Sequence, residues 1–197
     1  MSPGRQRVLI VNGHPDPASK GLCHALCDAY AQGARETSRE VRWLDIARLD
    51  FDFLRSQAEF EKGSPPPAIV EAQSDIRWAD HLVIIYPLWL GDMPALLKAF
   101  LEQALRPGFA FDYRVKGRPA THMDGRSVRI IVTMGMPALA YRFYYRAHGL
   151  KNLESNVLRF VGFGPIRDTL LGSVETCGPG IIRHRLNEVR ELGRLGR

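Results

Sequence analysis

The sequence predicts an α/β domain in which a doubly wound parallel sheet carries helices on both faces. Its 197 residues, 45% hydrophobic and 24% charged, suit one globular domain over residues 1–197 with a sizeable core. Short β-branched apolar runs recur along the chain, as expected of strands buried on both faces of a sheet. Between these runs, apolar residues follow the period of helices. Alternating strands and helices of this kind predict parallel strands joined by right-handed crossovers.

Five segments are predicted to be strands. Three are strong apolar runs, while the second along the chain is weaker and the last follows the turn residues Gly164 and Pro165. The segments are residues 7–12, 41–46, 81–86, 128–133 and 167–172. In a parallel sheet of this class, ligands bind beyond the carboxyl ends of the strands.

Helices are predicted from apolar stripes that recur every three or four residues. The stripes are Leu22, Leu26, Ala29 and Tyr30, then Ala95, Leu96, Ala99, Phe100 and Leu105, then Ile181, Leu186, Val189 and Leu192. Further helices are predicted over residues 67–78, 138–147 and 152–160. These helices fill the gaps between the predicted strands.

The first apolar run and the cysteines bear on where the protein works. The run ends at Val11 and is too short for a signal-peptide core or a membrane span, so no membrane insertion is expected. The three cysteines are Cys23, Cys27 and Cys177, an odd number without a C-x-x-C pair, which argues against a disulfide framework or a zinc site. We expect a reduced, cytoplasmic protein with no metal.

The basic charge does not predict nucleic-acid binding. The formal net charge is +6, yet Lys and Arg are spread along the chain without a run of five. The most basic tract, residues 183–197, is interrupted by Glu188 and Glu191, as a solvated helix face would be. No nucleic-acid partner is expected.

The loop after the first strand is a candidate anion site. It reads NGHPDPAS and leads into a helix expected to begin near Ser19 or Lys20. The free amides and positive dipole end of a helix attract phosphate. The loop matches neither G-x-x-x-x-G-K-[ST] nor G-x-G-x-x-G, and a plain helix cap by Ser19 is the alternative.

Two further strand ends carry unusual residues. Pro87, Leu88, Trp89 and Leu90 follow the third strand, where a flat ligand ring, the core or an oligomer interface would cover them. After the fourth strand, Thr133 and Gly135 offer a hydroxyl and backbone amides to a ring edge. Tyr141 and His148 follow at helical spacings, where they either pack within a helix or hydrogen-bond a substrate oxygen.

These segments resemble a known family. GHPDPAS, then YPLWLGDMPALLKAFLEQALRPGFAF, then TMG followed by Tyr141 and His148, are similar to the NAD(P)H:quinone oxidoreductases of flavodoxin-like fold. That family includes modulator-of-drug-activity proteins and the ancillary reductases of potassium efflux systems. The resemblance covers residues 7–172 and is most specific over residues 87–111. It implies a flavodoxin-like, doubly wound five-stranded parallel sheet in the order 2-1-3-4-5.

The resemblance also implies a flavin site, to which it assigns residues loop by loop. Contacts to the flavin phosphate and ribityl chain fall to His14, Ser19, Leu22 and Cys23. The isoalloxazine ring lies against Pro87, Leu88, Trp89 and Leu90. The ring edge is hydrogen-bonded by Thr133, Met134, Gly135 and Met136. Substrate is handled by Tyr141 and His148.

This sequence departs from the family pattern in three places. Leu90 stands where the family often has Trp, and Met134 and Met136 replace a Thr and a Gly. The methionines remove a hydroxyl and add bulk near the ring. Tyr141 lies at the expected offset from Thr133, but His148 falls one residue late.

The activity implied by the resemblance is ping-pong hydride transfer from NAD(P)H through a bound flavin to a quinone or similar acceptor. The flavin is FMN or FAD, and the compact chain favours FMN. The resemblance also implies a homodimer with its site at the interface. Two alternatives are an electron-carrier flavodoxin, for which an acidic surface is expected, and a flavin-binding regulatory subunit of a membrane transporter.

Overall fold

A five-stranded parallel sheet forms the centre of the computed structural model, which describes residues 6–113 and 119–197. The strands, β1 to β5, are Arg7–Asn12, Glu40–Asp45, His81–Pro87, Ser127–Thr133 and Ile166–Leu171. They lie in the order β2-β1-β3-β4-β5, and each neighbouring pair is parallel. The predicted flavodoxin-like fold and strand order are therefore confirmed, with every strand boundary within one residue of its prediction.

Six α-helices accompany the sheet in the described part of the chain. They are α1 Leu22–Glu36, α2 Gln57–Lys62, α3 Pro67–Trp78, α4 Ala95–Ala104, α5 His148–Asn152 and α6 Pro179–Leu195. Two elements were not predicted from the sequence: α2, and a two-residue antiparallel ladder between Phe111–Asp112 and Ala120–Thr121. Across residues 6–113 and 119–197, each helix is too short or too polar to span a bilayer.

The segment predicted as a helix over residues 138–147 is irregular. It contains a π-helical turn, Ala140–Tyr144, after which Arg146 and Ala147 adopt left-handed backbone angles with φ of 56° and 48°. A new helix, α5, then begins at His148. The apolar period alone does not distinguish a π turn from an α turn, so this break was missed.

Helices cover both faces of the sheet, and alternate side chains of each strand point to opposite faces. Val8 and Ile10 of β1 join a core with residues of α1 and α6. Leu9 and Val11 of the same strand join a larger core with residues of α3, α4 and α5. This arrangement is the doubly wound architecture that the sequence predicts.

Helices α1 and α6 touch through their backbones at two glycines. A Cβ atom added at Gly33 would overlap the carbonyl oxygen of Arg190, and one added at Gly193 would overlap that of Tyr30. Only glycine permits an approach this close. The crossing therefore fixes where α1 lies on the sheet.

His81 is buried at the amino end of β3 within a hydrogen-bonded network. Its ring is 1% exposed, with Nε2 3.0 Å from the Tyr30 hydroxyl and Nδ1 2.7 Å from the Ser127 hydroxyl. Burial, assisted by the charges of Arg129 and Arg39, lowers the pKa of His81 from 6.5 to about 4. The folded protein therefore holds this imidazole neutral.

The low pKa of His81 predicts a loss of stability in mild acid. The unfolded chain binds the proton of His81 more tightly than the folded chain does. The stabilisation that comes from the neutral imidazole is therefore complete above pH 6.5 and is lost as the pH falls towards 4. The loss should reach about 3 kcal/mol in the free energy of unfolding. Urea titrations across this range measure it.

The matched comparison uses two variants of similar chemistry. His81→Gln removes the titrating ring and should flatten the pH dependence between pH 6.5 and 4. His184→Gln changes an exposed histidine of α6 and should keep the wild-type slope. Equal slopes in the wild type and His81→Gln would show that His81 does not cause the acid sensitivity.

Candidate functional site

Three loops converge at the carboxyl ends of β1, β3 and β4. Gly13, just after β1, donates its N–H to the carbonyl oxygen of Ile85 at 2.7 Å. Leu88, just after β3, donates its N–H to the carbonyl oxygen of Thr133 at 2.7 Å. The Thr133 hydroxyl lies 3.4 Å from the Cys23 thiol in the first turn of α1. The three loops assigned to the flavin therefore share one edge of the sheet.

The β1–α1 loop is built from hydrogen bonds between nearby side chains and backbone N–H groups. Such bonds fix turns rich in Asn, Asp and Ser. They run from His14 N to Asn12 Oδ1 (3.2 Å), from Asp16 N to His14 Nδ1 (3.2 Å), from Ala18 N to Asp16 Oδ1 (2.9 Å) and from Gly21 N to Ser19 Oγ (3.2 Å). The loop thus has a defined shape before any ligand binds.

The amino end of α1 is suited to bind an anion. The helix begins at Leu22, slightly later than expected, with Gly21 as its N-cap and no capping side chain. The first N–H groups of a helix lack partners within it, and no acidic residue lies in the first turn of α1. The N–H groups of Leu22 and Cys23 are therefore placed to meet phosphate. Ser19 contacts the N-cap residue and is not itself the N-cap.

The β3–α4 loop presents apolar side chains at the same edge. Trp89 is 50% exposed, and Leu90 is fully exposed with a left-handed φ of 49°. Reciprocal backbone bonds between Trp89 and Asp92, at 2.9 and 3.0 Å, hold this tight turn. The His14 ring lies edge-on to Trp89, with 6.4 Å between ring centroids. The turn therefore displays a flat apolar surface beside the anion-binding end of α1.

The loop after β4 is tied to the loop after β5. Met134 donates its N–H to Leu171 O at 2.9 Å and accepts from Val174 N at 3.1 Å. Its side chain is buried in the core, so it adds no bulk at the exposed edge. Gly135 and Met136 donate their N–H groups to no described residue, which leaves these two amides to meet a ring edge.

Cys23 contributes packing rather than reactivity. Burial raises the pKa of its thiol to about 11, and the hydrogen bond with Thr133 offsets this only partly. The thiol is protonated at neutral pH, whereas the thiolate is the nucleophilic form. Within the described residues, no three His, Cys, Asp or Glu side chains gather to hold a metal ion.

Tyr141 and His148 occupy opposite environments. Tyr141 is 1% exposed, and burial raises the pKa of its phenol. Its hydroxyl donates to the carbonyl oxygen of Gly91 at 3.3 Å and accepts from the N–H of Leu150 at 3.2 Å. His148 is exposed at the first position of α5. The structure thus places Tyr141 against the 89–92 turn inside the protein and His148 at the surface, next to Gly149, which packs on that turn.

A π-helical turn lies at the start of the segment between Tyr141 and His148. Tyr145 donates its N–H to the carbonyl oxygen of Ala140 at 3.1 Å, a bond that spans five residues instead of four. A turn of this kind accommodates one extra residue. The segment between Tyr141 and His148 therefore departs from a regular α-helix.

Sequence reasoning missed the residues that join the Tyr141 segment to the 89–92 turn. These are Gly91, Gly149 and Leu150, of which Gly149 packs directly on Gly91 and Asp92. The glycines were visible in the sequence, but their partners are distant along the chain. Tertiary contact alone reveals their role.

The site as a whole fits a planar ring that carries a phosphate, such as FMN. The amino end of α1 offers phosphate donors, the Trp89–Leu90 surface offers a ring platform, and Gly135 and Met136 offer edge donors. All three lie at one edge of the sheet, as binding sites of this fold class do.

Known oxidoreductases resemble the chain over most of its length. It is 25% identical to NAD(P)H dehydrogenase (quinone) 1 of Rattus norvegicus, with 88% of this chain and 71% of that protein covered. It is 28% identical to an FMN-dependent NADH:quinone oxidoreductase of Mycoplasmoides gallisepticum, with 70% and 72% covered. The solved NAD(P)H:quinone oxidoreductase from Methanothermobacter marburgensis superposes with a TM-score of 0.82 at 25% identity, covering 96% of this chain and 98% of that one.

A family model described as flavodoxin-like fold matches residues 6–191. The match includes all five strands of the sheet and every loop of the candidate site. The chain therefore belongs to the family of proteins with the flavodoxin-like fold.

Proposed function

We propose that the protein is an FMN-dependent oxidoreductase that transfers reducing equivalents from NAD(P)H to a quinone. The observation that carries this proposal is the meeting of an anion-binding helix end, an exposed apolar turn and two free amides at one edge of the sheet. The names of the relatives point to the same activity and to FMN. Free cysteines in the described chain fit a reducing cytoplasm as its location.

Each part of the site has a role towards FMN. The N–H groups of Leu22 and Cys23, with the Ser19 hydroxyl and His14, would hold the phosphate end. Leu88 and Trp89 would support the ring, with Pro87 and Leu90 beside them. When bound, FMN supplies the two-electron chemistry that connects the donor with the acceptor. The amides after Thr133 would stabilise negative charge at the ring edge.

The overall reaction is NAD(P)H + H⁺ + quinone → NAD(P)⁺ + hydroquinone. The open surface beside Trp89 and Leu90 is where both reactants are proposed to bind, one after the other, which gives ping-pong kinetics. His148 is exposed near this turn, so its imidazole is available to hydrogen-bond the quinone oxygen and supply a proton. Tyr141 supports it from inside the protein.

We also propose that the protein works as a homodimer. Leu139, Phe143 and Tyr144 are all more than 70% exposed on the segment that carries His148, and Leu90 is fully exposed nearby. Exposed apolar patches of this kind usually mark an interface or a ligand site. A second copy covering this patch would also shield the bound ring from water.

The purified protein should reveal its cofactor in its absorption spectrum. We expect bands near about 370 and 450 nm, released as FMN on denaturation. Anaerobic NAD(P)H should bleach the band at the longer wavelength, and a quinone should restore it. A protein that rebinds no flavin after supply of FMN would refute the proposed function.

Ser19→Ala tests the phosphate end of the site. The change removes one hydroxyl that donates to a charged group, so the affinity for FMN should fall by about 1 to 2 kcal/mol. Fluorescence titration of the flavin-free protein measures the dissociation constant. Ser74→Ala, an exposed change on α3, is the control. Equal affinities in the two variants would limit Ser19 to its turn with Gly21.

Trp89→Ala tests the ring platform. Loss of the flat side chain should weaken FMN binding by about 1 to 2 kcal/mol, whereas Trp89→Phe, which keeps an aromatic ring, should retain most of the affinity. Light scattering on each variant reports the oligomeric state. If Trp89→Ala keeps its FMN but becomes a monomer, Trp89 belongs to the subunit interface instead.

A further inference from the structure

Tyr141 and the 89–92 turn form a clamp that holds the start of α5. We propose that Tyr141 is a positioning residue, whose hydroxyl ties the beginning of α5, and with it His148, to the Leu90–Gly91 turn. It therefore does not give its own proton to the acceptor. This inference rests on the proposed function, in which His148 faces the acceptor.

The hydrogen bonds of Tyr141 leave its proton engaged within the protein. A tyrosine hydroxyl has one hydrogen to donate and two lone pairs to accept with. Its hydrogen points to Gly91 O, and one lone pair accepts from Leu150 N–H. Because the side chain is 1% exposed, a substrate oxygen would have to displace Gly91 and enter the core to receive that proton. Donation is therefore disfavoured both by access and by the bond that it would break.

A second contact joins the same two segments independently. A Cβ atom added at Gly149 would lie 2.5 Å from Gly91 O and 2.8 Å from the Cα of Asp92. No left-handed backbone angle is found at Gly149, so the need for glycine here is one of space. The start of α5 is thus pressed against the 89–92 turn at the residue after His148.

The strained backbone before α5 must be stabilised by surrounding contacts. Arg146 and Ala147 are consecutive non-glycine residues with positive φ, a conformation that persists only when its surroundings enforce it. Ala147 donates its N–H to Tyr141 O at 3.0 Å, so the strained pair is anchored on the residue whose side chain makes the clamp. Tyr141 therefore fixes both sides of the turn that leads into His148.

The consequence is that Tyr141 acts on the reaction through His148. The clamp sets the position of the imidazole relative to Leu90, beside which the acceptor is proposed to bind. A displacement of about 1 Å in a catalytic group costs up to about a hundredfold in rate. Loss of the clamp should therefore slow the reaction without altering which groups exchange protons.

Amide hydrogen exchange tests the clamp without any turnover. In Tyr141→Phe, the peptides that cover residues 88–92 and 148–152 should exchange about two to ten times faster than in the wild type, as expected from the loss of weak hydrogen bonds. Tyr145→Phe removes an exposed hydroxyl from the same segment and should leave these peptides unchanged. Wild-type exchange in Tyr141→Phe would overturn the proposal.

Stopped-flow kinetics with quinone test the consequence for the reaction. Tyr141→Phe removes the hydroxyl of the clamp, and Gly149→Ala disturbs the packing of α5 on the 89–92 turn. Each variant should therefore slow the half-reaction with quinone about 10- to 100-fold. The double variant should be little slower than either single variant, because each change alone releases the same junction between the start of α5 and the 89–92 turn. Gly180→Ala, where an added Cβ meets open space, should react like the wild type.

The pH profile separates a positioning residue from a proton donor. Tyr141→Phe should show the wild-type profile at a lower level. A profile that loses one limb in Tyr141→Phe but keeps it in Gly149→Ala would make Tyr141 the proton donor and refute the clamp. If Gly149→Ala does not fold, the exchange data and the Tyr141→Phe profile decide the question.

Failure of the proposed function has a different signature. A wild-type protein that binds no flavin, or whose flavin does not respond to NAD(P)H, contradicts the proposed activity. The exchange comparison between the wild type and Tyr141→Phe still tests the clamp in that case.

Discussion

The parallel register of β1, β3 and β4 is the constraint on which the candidate site depends. Asn12 pairs with Ile85, and Pro87 pairs with Thr133, so these strands end at one edge of the sheet. Parallel strands require crossover helices, and each crossover returns a loop to that edge. The amino end of α1, the Trp89 turn and the loop after Thr133 meet because this register aligns the carboxyl ends of β1, β3 and β4.

The sequence was sufficient to predict the centre of the sheet because β1, β3 and β4 are buried on both faces. Such strands read as continuous apolar runs, and their boundaries are marked by turn residues such as Asn12 and Gly13. The segment from Tyr141 to His148 could not be predicted in the same way. Its π turn and its left-handed residues accompany the burial of Tyr141 in the core, a tertiary contact that no local pattern encodes.

The site was predictable only in outline. Turn chemistry and apolar residues at strand ends indicated loops that the structure brings together at the carboxyl ends of β1, β3 and β4. Resemblance to a family supplied individual roles that stay predictions for His14, Met136 and their neighbours. Solvent exposure was the missing information. Met134 and Tyr141 are buried while Leu90 and His148 are exposed, and this difference separates residues that shape the site from residues that a ligand can reach.

The glycine crossing of α1 and α6 links the position of α6 to that of the amino end of α1. Gly33 lies about 16 Å along the α1 axis from Leu22, at the rise of a regular helix. Because α1 is one continuous helix, a shift at Gly33 also moves its amino end, where the N–H groups proposed to bind phosphate lie. A side chain added at Gly33 or Gly193 would therefore displace α1 from α6 and shift the amino end of α1 with it.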